Sequence, residues 1–184
     1  MEELLLILIF VLAITSKSYA ELSPRGNPNS LVQVIMTGDY QCPFTKRGYE
    51  TINELLKDDQ AAFYLTYKNM PLDFHDYALK AARIAICSDE QNKFWETSDE
   101  LFKLQDKKMF NEEGFKTLSL DKKILEDCLT NNRYQSAIDE DKKYIEKNKI
   151  IGTPHFKIIG PRGTKVLPGA YPKEELKKAI LEVL

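Results

Sequence analysis

Gly38-Asp39-Tyr40-Gln41-Cys42-Pro43-Phe44-Thr45-Lys46-Arg47-Gly48 is the stretch from which the rest of this 184-residue chain can be read. It follows the β-rich run Leu31 to Met36 and precedes an amphipathic run to about Lys57, so it predicts a strand-to-helix turn. Pro43 suits the first helical turn, where its missing N–H is not needed. A cysteine just before it stands among orphan N–H groups at the positive end of the helix dipole, which favour a thiolate over a thiol. The turn has the form of a Cys-x-x-Cys redox motif with Thr45 at the second position. A lone thiol there is a nucleophile, but it has no partner with which to close an intramolecular disulfide. The competing reading of Cys42 is a small buried hydrophobe, and its position between strand and helix favours the chemical one.

Working outward, Ala61 to Tyr67 reads as a second strand, and strand, helix, strand at this spacing imply a parallel β-α-β unit. From Asp73 to about Lys149 the chain lacks proline and its apolar residues recur at helical spacing. Four or five helices are expected there, one capped by Asn111 and another presenting the charged, mixed-sign face Asp139 to Lys149 to solvent. Strand signals return at His155 to Ile159. The turn Gly160 to Gly163 and the run Thr164 to Leu167 complete a hairpin, and Pro172 opens a terminal helix. The order β-α-β, helical block, β-β-α predicts an α/β thioredoxin fold. The expected domain comprises residues 21–72 and 150–184, with 73–149 as an inserted helical subdomain.

The first twenty residues read separately. Leu4 to Ile14 is an apolar run too short to span a bilayer comfortably, and Ser18-Tyr19-Ala20 is a small-x-small cleavage pattern. Residues 1–20 are therefore expected to be a signal peptide cleaved after Ala20, giving a periplasmic or secreted protein with no stable membrane span. Glu2 and Glu3, where basic residues are usual, leave an uncleaved N-terminal anchor as the alternative. Net charge is −2 with the signs interspersed, so nothing points to nucleic acid or to a basic partner. Three cysteines in an exported chain leave one free or bonded to another molecule, and Cys42 is the natural odd one out.

Ile151-Gly152-Thr153-Pro154-His155-Phe156 is the second chemical feature: a proline leading directly into a strand, read as a functional proline and a candidate cis bond, against the alternative of an ordinary loop proline. With that loop the chain resembles the DsbA-like thiol–disulfide oxidoreductases that carry a Cys-Pro-Phe-Cys type active site. The resemblance rests on Asp39 to Phe44, Lys68-Asn69-Met70-Pro71-Leu72, Ala81 to Cys87, Gln91 to Trp95, Leu101-Phe102 and Gly152 to Phe156, in that order. It covers nearly all of the chain beyond residue 20.

The resemblance implies that Cys42 is the attacking cysteine and Pro154 a cis-proline. It implies that Thr153 offers backbone groups to a bound peptide. Pro43 and Phe44 are expected beside the substrate, and His155, directly after the proline, is read as edging the site, against the equal alternative of a core or surface histidine. Thr45 departs from the family, and its hydroxyl is expected to donate a hydrogen bond toward the Cys42 sulfur, against the alternative of a tolerated small residue at a decayed site. The same resemblance implies a non-catalytic Cys87–Cys128 disulfide, against two separately buried thiols. No cofactor is expected and no Cys/His spacing resembles a metal site. His75 is left without an assigned role, and Asp39 reads equally as a turn former or as an influence on Cys42. Trp95, Phe94, Leu101 and Phe102 are expected in the core of the helical block.

The leading functional expectation is monothiol exchange with protein thiols and disulfides or with glutathione-like small thiols, suited to isomerase, reductase or mixed-disulfide chemistry rather than net oxidation. A non-catalytic peptide-binding module is the alternative. A glutathione-conjugating or peroxide-reducing enzyme is a third reading of the same thiol.

Overall fold

The computed structural model describes residues 22–58 and 63–184; the expected signal peptide lies outside the described residues. Chain order is β1 (Arg25–Gly26), β2 (Gln33–Gly38), α1 (Pro43–Asp58), β3 (Tyr64–Asn69), α2 (Ala78–Ser88), α3 (Phe94–Asp106), α4 (Glu112–Phe115), α5 (Lys122–Thr130), α6 (Gln135–Lys147), β4 (His155–Gly160), β5 (Gly163–Pro168) and α7 (Lys173–Val183). Among the described residues these strands form one sheet in the order β1-β3-β2-β4-β5. The β2–β3 pair is parallel, as the β-α-β reading requires, and β2–β4 and β4–β5 are antiparallel. This is a thioredoxin fold.

Strand β2 is central and buried on both faces. Val34 and Met36 enter the main core, while Ile35 and Thr37 on the other face are buried as well. It runs two residues further than expected at its C-terminal end, so Thr37 and Gly38 belong to the ladder rather than to the turn, and it starts only at Gln33, where pairing with Tyr64 and Ile159 begins. Strand β3 is shifted the same way, ending at Asn69 opposite Gly38.

Helix α1 buries Thr45, Gly48, Tyr49, Ile52, Leu55 and Leu56, one continuous stripe at helical spacing, against the sheet and α7. Burying those four large side chains stabilises the fold by roughly 1.5–3 kcal/mol each. Phe94, Leu101 and Phe102 of α3 belong to the same core cluster as Val34, Met36 and Phe156, so the helical block packs continuously with the sheet. Trp95 is only partly buried and donates its indole N–H to the Ser23 carbonyl at 2.7 Å. The Asn111 cap forms as expected, its side chain accepting from the Gly114 N–H.

A second, smaller cluster lies within the helices. Cys87 of α2 and Cys128 of α5 are disulfide-bonded and fully buried, packed with Ile86, Tyr134 and Ala137. The charged run of α6 is not wholly solvated. Asp141 is buried, accepts from the backbone and side-chain nitrogens of Asn69 at 2.8 and 2.9 Å, and pairs with Lys68 at 3.0 Å. Burial pushes the Asp141 carboxyl upward, opposed by Lys68 and by the Asn69 donors. The pair fastens α6 to the end of β3, close to the turn that carries Cys42.

At the edge of the sheet beside β3, Arg25 holds β1 in place. Its guanidinium donates to Tyr49 and Asn53 of α1 and to Asp99 and the Trp95 carbonyl of α3, and it lies over the Trp95 ring at 4.8 Å.

Candidate active site

Cys42 caps the start of α1. Its N–H donates to the Asp39 carbonyl at 3.1 Å and its own carbonyl accepts from Lys46 at 3.1 Å, so the chain enters the helix directly at this residue. Its thiol is the free one among the described residues and is buried. Sγ faces the Thr153 carbonyl at 3.7 Å across the groove between α1 and the loop before β4. The Thr153–Pro154 bond is cis, as expected.

Close approach of the two segments depends on Gly48, one turn and a half along α1. A Cβ there would stand 3.1 Å from Pro154 Cγ and 3.1 Å from Phe156 Cζ, so any larger residue would push the loop away from the thiol. The Pro154 carbonyl is tied in turn by the Gly169 N–H at 2.8 Å.

Thr45 is completely buried and does not serve the sulfur. Its Oγ1 accepts the Asp39 N–H at 3.3 Å, and among the described residues no hydrogen bond joins it to Cys42. The expectation of a hydroxyl donor to the thiolate is corrected accordingly. Instead, the side chain fills the space beside Gly38, where a Cβ would meet Thr45 Cγ2 at 2.5 Å and the Tyr67 hydroxyl at 2.4 Å. Position 45 has become part of the packing under the turn.

Asp39 is the hub of that turn. Its buried carboxylate accepts Gln41 N–H at 2.7 Å, Leu72 N–H at 2.8 Å and His75 Nδ1 at 2.8 Å. The turn-forming reading of Asp39 is therefore the one realised. Two further residues hold the turn and were not singled out from sequence. Gln105 of α3 donates to the Tyr40 carbonyl at 2.6 Å, and Gln41 Oε1 accepts the Tyr77 N–H at 2.8 Å. Both contacts join residues dozens of positions apart, and no local pattern announces them. Tyr40 itself is buried, bonded to Ser98 at 2.8 Å and stacked on Tyr67, and burial drives its phenol strongly upward.

Pro43 and Phe44 point outward, with Arg47 over the Phe44 ring at 5.1 Å. Exposed Phe74 and Ile151 add apolar surface in the segments adjoining His75 and Thr153. His155 is buried on the sheet face opposite Phe156, paired across the ladder with Thr37, and it borders a groove of about 540 Å³ with Ile151, Thr153, Pro154, Val166 and Pro168. A larger hollow of about 820 Å³ lies beside Arg25, Tyr49 and Asp99, away from the thiol.

Burial lowers the His155 imidazole below its usual value, and Lys157 adds to the effect. The unfolded chain therefore takes up this proton first as pH falls below 6.5, and stability drops through that window. A His155→Gln variant is expected to show a flatter loss of stability between pH 7 and 5.5 in urea titrations. An unchanged slope would remove His155 as the cause.

Among the described residues no cluster of His, Cys, Asp or Glu is arranged to hold a metal ion. The chemistry available is that of one thiol at a helix start beside the Thr153 carbonyl that precedes a cis-proline. The thioredoxin family profile matches residues 20–181. The chain belongs to the thioredoxin family.

Within the thioredoxin family its likeness is to DsbA-like oxidoreductases. DsbA2 of Pseudomonas aeruginosa superposes with a TM-score of 0.75 at 25% identity, over 88% of this chain and 93% of that one. A thioredoxin-like oxidoreductase from Silicibacter pomeroyi DSS-3 gives 0.73 at 22% identity, covering 86% and 89%. The thiol-disulfide exchange protein alpha-DsbA2 from Wolbachia pipientis gives 0.69 at 21%, covering 89% and 87%. The curated relatives include the Na(+)/H(+) antiporter NhaA 3 of Salinispora tropica, 30% identical over 160 residues, which are 85% of this chain and 24% of that protein. This thioredoxin-family chain thus spans about a quarter of the length of the curated relatives it matches. Among the described residues no helix is long and apolar enough to cross a membrane.

Proposed function

We propose that this DsbA-like protein exchanges thiols and disulfides through Cys42 alone. The Cys42 thiolate attacks one sulfur of a substrate disulfide, forming the mixed disulfide and releasing the second substrate sulfur as a thiolate, which takes a proton from water. A second thiol, from the substrate or from a small thiol of the glutathione class, then attacks the mixed disulfide and returns Cys42 to the thiolate. The cycle is balanced for isomerisation or reduction and does not by itself yield net oxidation.

The observation that carries this reading is Cys42 Sγ set 3.7 Å from the Thr153 carbonyl across a cis-proline, with a hydroxyl rather than a thiol at position 45. The Thr153 backbone offers the pairing edge for an extended substrate, with Pro43, Phe44 and His155 flanking it. The Cys87–Cys128 bond suits an oxidising compartment, in keeping with residues 1–20 as an export signal and a periplasmic or secreted location.

The test is direct. Purified protein mixed with oxidised glutathione, or with a disulfide-linked peptide, is expected to gain one adduct per chain, mapped to Cys42 and removed by reduced glutathione. Cys42→Ser is expected to gain none. An unmodified native chain, or an adduct that persists in the variant, would defeat the proposal.

A second reading, a non-catalytic peptide binder, draws on the burial of Cys42 beside exposed Phe44, Phe74 and Ile151. It requires peptide binding that survives Cys42→Ala in a protein that forms no adduct.

A further inference from the structure

Six residues separate Leu72 from Tyr77 inclusive, and three hydrogen bonds sew this segment onto the turn ahead of Cys42: Leu72 N–H and His75 Nδ1 to Asp39 Oδ2, and Tyr77 N–H to Gln41 Oε1. The carboxylate at the centre is wholly shielded from solvent, while the His75 side chain keeps 17% of its surface exposed. Facing a carboxylate, which only accepts, Nδ1 is the nitrogen that carries the proton. The second oxygen of Asp39 holds Gln41 N–H, and the Asp39 carbonyl holds the N–H of Cys42. His75 is thus one link from the nucleophile's own backbone.

We propose that His75 is a positioning residue for exchange at Cys42, donating Nδ1–H to Asp39 so that the carboxylate keeps the Asp39–Cys42 turn in register with α1. The proposal rests on the exchange reading given above. It follows physically from what removal would do. Without the histidine donor, one acceptor site of a buried carboxylate is left unfilled. The carboxylate would relieve this by rotating toward solvent, and Gln41 N–H and Leu72 N–H would lose their shared acceptor, loosening the Asp39 backbone whose carbonyl holds the Cys42 N–H. The T-shaped contact of Phe74 with His75, 4.5 Å between ring centroids, closes the outer side of the link.

Two variants separate positioning from bulk packing. In His75→Asn the amide nitrogen falls where Nδ1 stands and keeps the donor; in His75→Gln it falls near Nε2 and does not. Two rates are read at pH 7: alkylation of Cys42 by iodoacetamide and mixed-disulfide formation with oxidised glutathione. His75→Gln is expected to slow both by roughly tenfold, the size expected for a lost hydrogen bond to a charged group. His75→Asn is expected to stay within about twofold of the native rates. Equal rates for the two variants, whether both native-like or both slowed, overturn the proposal, as does the reverse order.

Nitrogen-15 spectra of the native protein give a readout that no variant's folding touches. His75 must carry a proton on Nδ1, and an Nε2–H tautomer with bare Nδ1 overturns the assignment. Alkylation needs no exchange partner. A native chain that alkylates but forms no mixed disulfide would defeat the exchange reading, and the alkylation rates would still decide the role of His75.

Discussion

A Thr45→Cys variant, prepared in its reduced form, is expected to reduce a disulfide peptide on the order of a hundredfold faster in a single turnover than the native protein, whose mixed disulfide on Cys42 waits for a thiol from solution. The reason is the difference between intramolecular and intermolecular attack, whose effective molarities differ by orders of magnitude. Position 45 lies three residues beyond Cys42 in the first turn of α1, on the same side of the helix. A thiol there resolves a mixed disulfide on Cys42 from within the chain. The substrate leaves reduced, and the two protein sulfurs close on each other.

The same substitution has a cost in the fold. Thr45 Oγ1 accepts the Asp39 N–H, and sulfur is a weak acceptor, so the variant is expected to lose about 1 kcal/mol of stability. Thr45→Ser, which keeps the acceptor but like the cysteine lacks the buried Cγ2, is the control and is expected to leave the rate native while losing about 1 kcal/mol of stability. A Thr45→Cys protein whose internal disulfide forms but whose rate of substrate reduction stays native would show that the scaffold, and not the missing thiol, limits the chemistry.

Removing the Cys87–Cys128 bond is the second large effect expected. The bond closes a 41-residue separation, and the loop-entropy relation assigns it ~4 kcal/mol. A Cys87→Ala, Cys128→Ala double variant is expected to lose roughly 2–4 kcal/mol in urea titration, and about 10 °C in Tm for a chain of this size. Its Cys42 exchange is expected to persist below the new transition, because the bond sits in its own cluster with Ile86, Tyr134 and Ala137 rather than beside the thiol. A loss under about 1 kcal/mol would mean that packing in that cluster, and not chain closure, holds α2 to α5.

The periodicities of α1, β2, β3 and the β4–β5 hairpin are local, and the sequence carried them to within two or three residues. The errors at the strand ends have one cause. Thr37, Gly38, Lys68 and Asn69 are held in the ladder by each other and by Asp141, 72 residues from Asn69, and no window around them contains that partner. Asp141 looked solvated because its neighbours in α6 are. Thr45 was misassigned by analogy: a hydroxyl three residues from a sulfur suggested a donor, and the Asp39 N–H six residues back claimed its oxygen instead. Cys42 and Pro154 were legible because a helix start and a pre-strand proline are written in adjacent residues. His75, Gln105 and Arg25 were not, since each acts through partners that only the fold brings near.

A protein that works by the proposed exchange while containing a disulfide must be immune to itself. Cys87 and Cys128 have no solvent-exposed surface, so neither a circulating small thiolate nor the Cys42 of a second copy can reach their sulfurs in the folded state. Burial draws the line between substrate and self. Under the proposed exchange, a disulfide on an accessible, unfolded segment is open to attack, and the protein's own becomes so only after unfolding.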